Sequence, residues 1–113
     1  MHELSLAQGI LETILRRAQQ DGFRKVNSVH LKVGRLAGVE IESLRFCFEV
    51  LSASTIARMA NLEVEVVPLR GKCRDCGEGF ELAEIELICP RCGSGEVEIV
   101  SGREFIMETM EVE

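Results

Sequence analysis

Two short runs in this chain carry the residue types and spacing of a metal site: Cys73-Arg74-Asp75-Cys76-Gly77 and Cys89-Pro90-Arg91-Cys92-Gly93, with twelve residues between Cys76 and Cys89. Each Cys-x-x-Cys-Gly knuckle brings two sulfurs to one point on a tight turn. The glycine that follows takes a backbone conformation other residues resist, so that amides can point at the thiolates. Two such turns supply the tetrahedral thiolate cage that zinc prefers, with bonds of about 2.3 Å. Such a site is closed, with no open coordination position, and is therefore structural rather than catalytic. A rubredoxin-like iron site uses the same four ligands, and an iron–sulfur cluster or a dithiol redox pair are further alternatives. A redox Cys-x-x-Cys normally opens a helix in a βαβ context, which is missing around both knuckles. The fifth cysteine, Cys47, falls on the apolar stripe of a helix and reads as a buried, inert thiol.

The first three residues, Met1-His2-Glu3, offer a second kind of metal chemistry. The Met1 amine, the His2 amide nitrogen and a His2 ring nitrogen can close adjacent chelate rings. The Glu3 backbone nitrogen or its carboxylate could serve as the fourth donor. A tetragonal nitrogen/oxygen set of this kind suits nickel(II) or copper(II), and a terminal site lets a metal enter and leave. A terminal histidine is also an ordinary surface residue. His30, the other histidine, falls on the polar face of a strand, where plain solvent exposure is expected.

The elements that must position these groups follow from periodicity. Leu4, Ala7, Ile10, Leu11, Ile14, Leu15 and Ala18 recur at helical spacing, and Gly22 suits a left-handed C-terminal cap. Ser5 with Gln8 offers a capping box at the start. Val29, Leu31 and Val33 alternate with Ser28, His30 and Lys32 as a strand. A second helix carries Ile41, Leu44, Cys47, Phe48 and Leu51 on one stripe. Leu62, Val64 and Val66 alternate with Glu63 and Glu65 as a second strand, closed by Pro68.

Composition changes at about Arg70. From there to Arg103 the chain holds four of its five cysteines and six of its ten glycines. This stretch reads as a zinc ribbon, with Phe80, Leu82, Ile85, Leu87 and Ile88 as its hairpin and small core. The tail from Glu104 has strand-like content and would pair with the first module's sheet, making the cysteine module an insertion. The expected fold is therefore α+β: two helices packed on a small mixed sheet, with an inserted zinc-ribbon module. The expected modules are residues 1–69 plus 104–113, and residues 70–103.

Charge narrows the function. The 113 residues carry a net charge of −6, with 19 acidic against 13 basic side chains. The cysteine module alone has five basic against seven acidic residues, and four thiolates with one zinc add further negative charge. A zinc ribbon that contacts nucleic acid is the first rival reading, but phosphate neutralisation needs clustered Lys and Arg. The same balance opposes an anionic membrane surface. A protein-interaction module is the other alternative. No catalytic Ser/His/Asp set, phosphate loop or open zinc site is present, so no enzyme activity is expected. The opening Met1-His2-Glu3-Leu4 has neither a basic region nor an apolar signal core, and a cytoplasmic location is expected. Thiols stay reduced there, which favours metal over a disulfide framework.

The start Met1-His2-Glu3-Leu4-Ser5-Leu6 before an amphipathic helix resembles the HypA/HybF family of hydrogenase nickel-incorporation proteins. So do Leu31-Lys32-Val33-Gly34-Arg35-Leu36-Ala37-Gly38-Val39-Glu40, the Phe46-Cys47-Phe48 of the second helix, the two cysteine knuckles, and the closing Met110-Glu111-Val112-Glu113. The resemblance covers the whole chain in one register. It implies nickel at His2, with Glu3 supporting that site, and zinc at Cys73, Cys76, Cys89 and Cys92. Glu40 matches an acidic position associated with nickel in some members. The function implied is a metallochaperone for [NiFe]-hydrogenase maturation, with nickel as cargo and zinc as structural ion. The partners implied are the GTPase HypB, the hydrogenase large subunit and, for some members, urease maturation proteins, with a homodimer as a further state.

Overall fold

The computed structural model describes residues 2–82 and 86–113. Among these described residues, two helices and six strands follow in the order α1 (Glu3–Asp21), β1 (Val26–Gly34), α2 (Ile41–Ser52), β2 (Asn61–Val67), β3 (Arg70–Cys73), β4 (Gly79–Glu81), β5 (Val97–Ser101) and β6 (Phe105–Val112). They divide between two compact units. One comprises Met1–Lys32, Gly38–Glu65 and Ile106–Glu113; the other comprises Val33–Ala37 and Val66–Phe105. Among the described residues, no helix is long and apolar enough to cross a membrane.

The first unit is built on helix–helix and helix–sheet burial. Helices α1 and α2 pack together, burying Ala7, Ile10 and Ile14 on α1 and Leu44 and Phe48 on α2, with Val26, Val29 and Leu31 from β1 and Leu62 from β2 also buried. The helical positions follow the period of 3.6, and Val29 and Leu31 follow the strand period of 2, while Val26 at the start of β1 lies off that alternation. Gly22 ends α1 in the left-handed region at φ 79°, donating its N–H to the Ala18 carbonyl, as its place in the sequence predicts. The start of α1 differs from expectation. The helix begins at Glu3 with His2 as its cap residue, so Ser5 lies inside the first turn and forms no capping box. Leu4 is 55% exposed and Leu15 37%, so both leave the apolar stripe.

Strand order in the larger sheet is β2-β1-β6. β6 runs antiparallel to β1: Lys25 and Glu113 exchange both backbone hydrogen bonds, at 3.2 and 2.8 Å. β2 runs parallel to β1, its end held where the Arg35 N–H donates to the Val67 carbonyl at 3.0 Å. The sheet is therefore mixed, with α2 as the crossover between its two parallel strands.

The second unit is a three-stranded antiparallel sheet in the order β4-β3-β5. Gly71 of β3 lies beneath the Phe80 ring and the Val97 side chain of the flanking strands. Leu69 and Leu82 are buried, and the Leu82 N–H donates to the Leu69 carbonyl at 2.8 Å. Gly34 rests on the Gly102–Arg103 peptide so closely that a Cβ would strike backbone. Gly102 itself stands at φ 113°, and the Leu36 N–H donates to its carbonyl at 2.6 Å. The expected ribbon core is smaller than the sequence suggests. Leu82 is buried and Phe80 half-buried, but Leu87 and Ile88 are exposed because the chain leading into the second knuckle forms no strand. Ile85 lies outside the described residues.

Candidate metal centres

The two cysteine knuckles are built alike. In the first, the Cys73 N–H donates to the Glu78 carbonyl and the Gly77 N–H to the Cys73 carbonyl, both at 2.9 Å. In the second, the Cys89 N–H donates to Ser94 and the Gly93 N–H to Cys89, again at 2.9 Å. Gly77 and Gly93 stand at φ 79° and 75°, the left-handed conformation that closes each turn. Two side-chain contacts tie the knuckles together. Arg91 pairs with the Glu78 carboxylate at 2.8 Å, and the Ser94 hydroxyl donates to Asp75.

The four sulfurs converge. Sγ of Cys73 lies 3.6 Å from that of Cys92, and Sγ of Cys76 lies 3.6 Å from that of Cys89. All four ligand atoms are within 4.8 Å of one another. A tetrahedral zinc thiolate site places its sulfurs about 3.8 Å apart, given bonds of about 2.3 Å, so the donor set and spacing fit zinc. Each knuckle contributes one buried and one exposed cysteine: Cys73 and Cys89 face inward, Cys76 and Cys92 outward.

The thiols do not ionise alike. Burial pushes Cys89 up, but the amides of Cys92 and Arg91 outweigh it and bring its pKa down to about 7. The Ser94 amide draws Cys92 down, yet the Cys73 thiol, burial and the remaining thiols push it up to about 12. Cys76 is also raised, with burial and its thiol neighbours overcoming the Glu78 amide. Four thiolates cannot share so small a space unaided, and a divalent cation removes that conflict. Cys47 is half-buried rather than buried, since α2 turns Leu44 and Phe48 most directly into the core.

At the other candidate centre, His2 is exposed and its carbonyl accepts the Leu6 N–H at 2.9 Å, closing the first turn of α1. Met1, with the amine the sequence offers as a ligand, lies outside the described residues. Glu3 is buried, and its Oε2 accepts the backbone N–H of Glu40 at 3.1 Å. That amide holds the Glu3 carboxyl below the usual carboxylate range. Glu40 caps α2 in turn, its Oε1 accepting the Glu42 N–H at 3.0 Å. The sequence offers Glu3 as a possible fourth nickel donor and as a support for that site, but gives no sign of this clasp between the two helix starts; a buried glutamate at position 3 leaves no periodic signal.

His30 departs from expectation as well. It is only 34% exposed and is bracketed by Glu63 and Glu65 of β2, each 3.6 Å from one ring nitrogen. Strand alternation placed all three on a polar face, but not on neighbouring strands.

The family model for "Hydrogenase/urease nickel incorporation, metallochaperone, hypA" matches residues 1–112. The chain belongs to the HypA family. Among curated HypA relatives, the hydrogenase maturation factor HypA of Syntrophus aciditrophicus is 48% identical over 104 residues, covering 92% of this chain and 91% of that protein. HypA of Acidithiobacillus ferrooxidans is 40% identical over 113 residues and covers both chains completely. The solution structure of the nickel metallochaperone HypA from Helicobacter pylori matches with a TM-score of 0.68 at 21% identity, covering 99% of this chain and 97% of that one. A second HypA solution structure gives 0.76, also at 21% identity, covering 99% and 96%. At that identity the structural likeness speaks for the HypA fold alone.

Proposed function

We propose that this chain carries nickel(II) at its N-terminus and delivers it to the large subunit of [NiFe]-hydrogenase, with zinc held permanently by Cys73, Cys76, Cys89 and Cys92. The observation that carries the reading is the placement of His2. It stands exposed at the start of α1, beside a Glu3 whose backbone and carboxylate are both fixed, the latter by the Glu40 amide. The His2 imidazole and amide nitrogens, with the Met1 amine, are the donors we assign to nickel. Glu3 sets their position and offers the second oxygen of its carboxylate as a further donor.

The mechanism is ligand exchange. A site made of exposed terminal donors releases its metal readily, which a carrier requires. Raw affinity does not give transfer a direction, so docking to the recipient must supply it. Protonation of the imidazole competes with the metal, and nickel release is favoured as pH falls. Nickel chemistry then belongs to the module of residues 1–69 and 104–113, and the zinc to residues 70–103. The zinc holds the two knuckles as one body and takes no part in transfer. The partners consistent with family membership are the GTPase HypB and, in place of or beside hydrogenase, urease maturation proteins; the setting is the cytoplasm.

Transfer is the test. Untagged protein loaded with one equivalent of nickel, incubated with nickel-free hydrogenase large subunit, should pass its metal to that subunit, whereas the His2→Ala variant should not. Equal transfer by the two proteins would refute the reading.

A further inference from the structure

The open face of the β2-β1-β6 sheet gathers donors from all three strands. His30 of β1, Glu65 of β2 and Glu108 of β6 each offer one ligand atom, and these atoms lie within 4.8 Å of one another. His30 Nε2 is 3.6 Å from Glu65 Oε1, while its Nδ1 is 3.6 Å from Glu63 Oε2. We propose that His30, Glu65 and Glu108 form a second binding site for a divalent first-row transition-metal ion, separate from the terminal and cysteine centres.

Three features support this. First, the donor set is mixed. An imidazole among carboxylates selects first-row transition ions over calcium or magnesium, which favour oxygen alone. Second, the imidazole has a carboxylate at each nitrogen. With the metal on the Nε2 side, Glu63, 3.6 Å from Nδ1, is one side-chain rotation from accepting the Nδ1 proton and orienting the ring, as outer carboxylates do at histidine–metal sites. Third, the residues project from a central strand and its two neighbours, so the backbone fixes the spacing and only side-chain rotation is needed to draw the donors in.

Charge points the same way. Glu63 and Glu65 flank the His30 ring, and Glu108 pairs with the Lys32 ammonium at 2.9 Å. Three carboxylates with one cation leave a field that attracts a divalent ion. Lys32 competes for Glu108, and all the donors are partly solvated, so this site is weaker than the terminal one. A metallochaperone with a weak acceptor on a separate face gains a place where excess metal binds without occupying the delivery site.

Nickel titration of the zinc-loaded, untagged full chain separates the centres. The expected isotherm has one tight equivalent and one weaker equivalent appearing by ~1 mM free nickel. His2→Ala should remove the tight equivalent only. His30→Gln and Glu65→Gln should each weaken the second equivalent at least tenfold while leaving the tight one and the zinc content intact. Lys32→Gln should tighten it several-fold, because the competing cation is gone. Amide resonances of β1, β2 and β6 around residues 30, 65 and 108 should broaden with the paramagnetic metal as the second equivalent binds. A second equivalent unchanged in His30→Gln, or no second equivalent at all, overturns the proposal.

Discussion

The carboxylate of Glu3 accepts the backbone N–H of Glu40 at 3.1 Å, across 37 positions of sequence. One bond thus joins the first residue of α1, which follows His2 directly in sequence, to the cap of α2. A buried carboxylate that meets a backbone amide carries the strength of a charge-assisted hydrogen bond. It also links folding of the first unit to the placement of the terminal donors.

The clasp has a pH signature. Because the Glu40 amide lowers the Glu3 pKa below its ordinary value of 4.5, the folded state binds this proton less readily than the unfolded chain does. The stabilisation is therefore fully present above about pH 5 and is lost as pH falls through the lowered value. Glu3→Gln should be less stable than the parent at pH 7, with the difference shrinking toward acid. Urea denaturation across this range checks it; a constant difference down to pH 3 would show that the charge of Glu3 is not what matters.

Cys73→Ala should lose its zinc and unfold the second unit. Four-thiolate zinc sites contribute folding free energy on the order of 10 kcal/mol, and a site missing one buried ligand retains little of it. Metal analysis together with amide hydrogen exchange of residues 66–105 reads both effects. Full zinc content in the variant would contradict a four-cysteine site.

Gly34→Ala should destabilise the fold by about 1–3 kcal/mol, since its methyl would collide with the Gly102–Arg103 backbone and not with a mobile side chain. Neither wall can move without breaking the hydrogen bond from Leu36 to Gly102. Denaturant unfolding measures the loss, and an unchanged midpoint would show that the two backbones part easily.

Much of this was legible in the sequence because local signals agreed with tertiary need. The alternation of Val29, Leu31 and Val33 placed β1, and Gly22, Gly77 and Gly93 each adopt the left-handed turn their positions imply. The strand-like tail does pair with the first strand. Long-range pairing was not legible. Nothing local tells that Glu3 reaches Glu40, or that His30 lies between Glu63 and Glu65, because strand neighbours are chosen by the whole sheet and not by any single segment. The exposure of Leu87 and Ile88 escaped for a related reason: an apolar residue is buried only when an element exists to cover it, and no strand forms there.

A residue fused ahead of Met1 should weaken tight nickel binding by roughly tenfold or more, since it removes the free amine from the chelate and leaves His2 in the chain interior. Zinc content should not change. Isothermal titration of tagged and untagged protein makes the comparison, and identical nickel isotherms would exclude the amine as a ligand.

The most direct test of the central claim is nickel titration of untagged protein beside its His2→Ala variant, with zinc quantified in both. The account predicts that the variant keeps one zinc per chain and loses the tight nickel equivalent entirely. A variant that still binds nickel as tightly as the parent would contradict it.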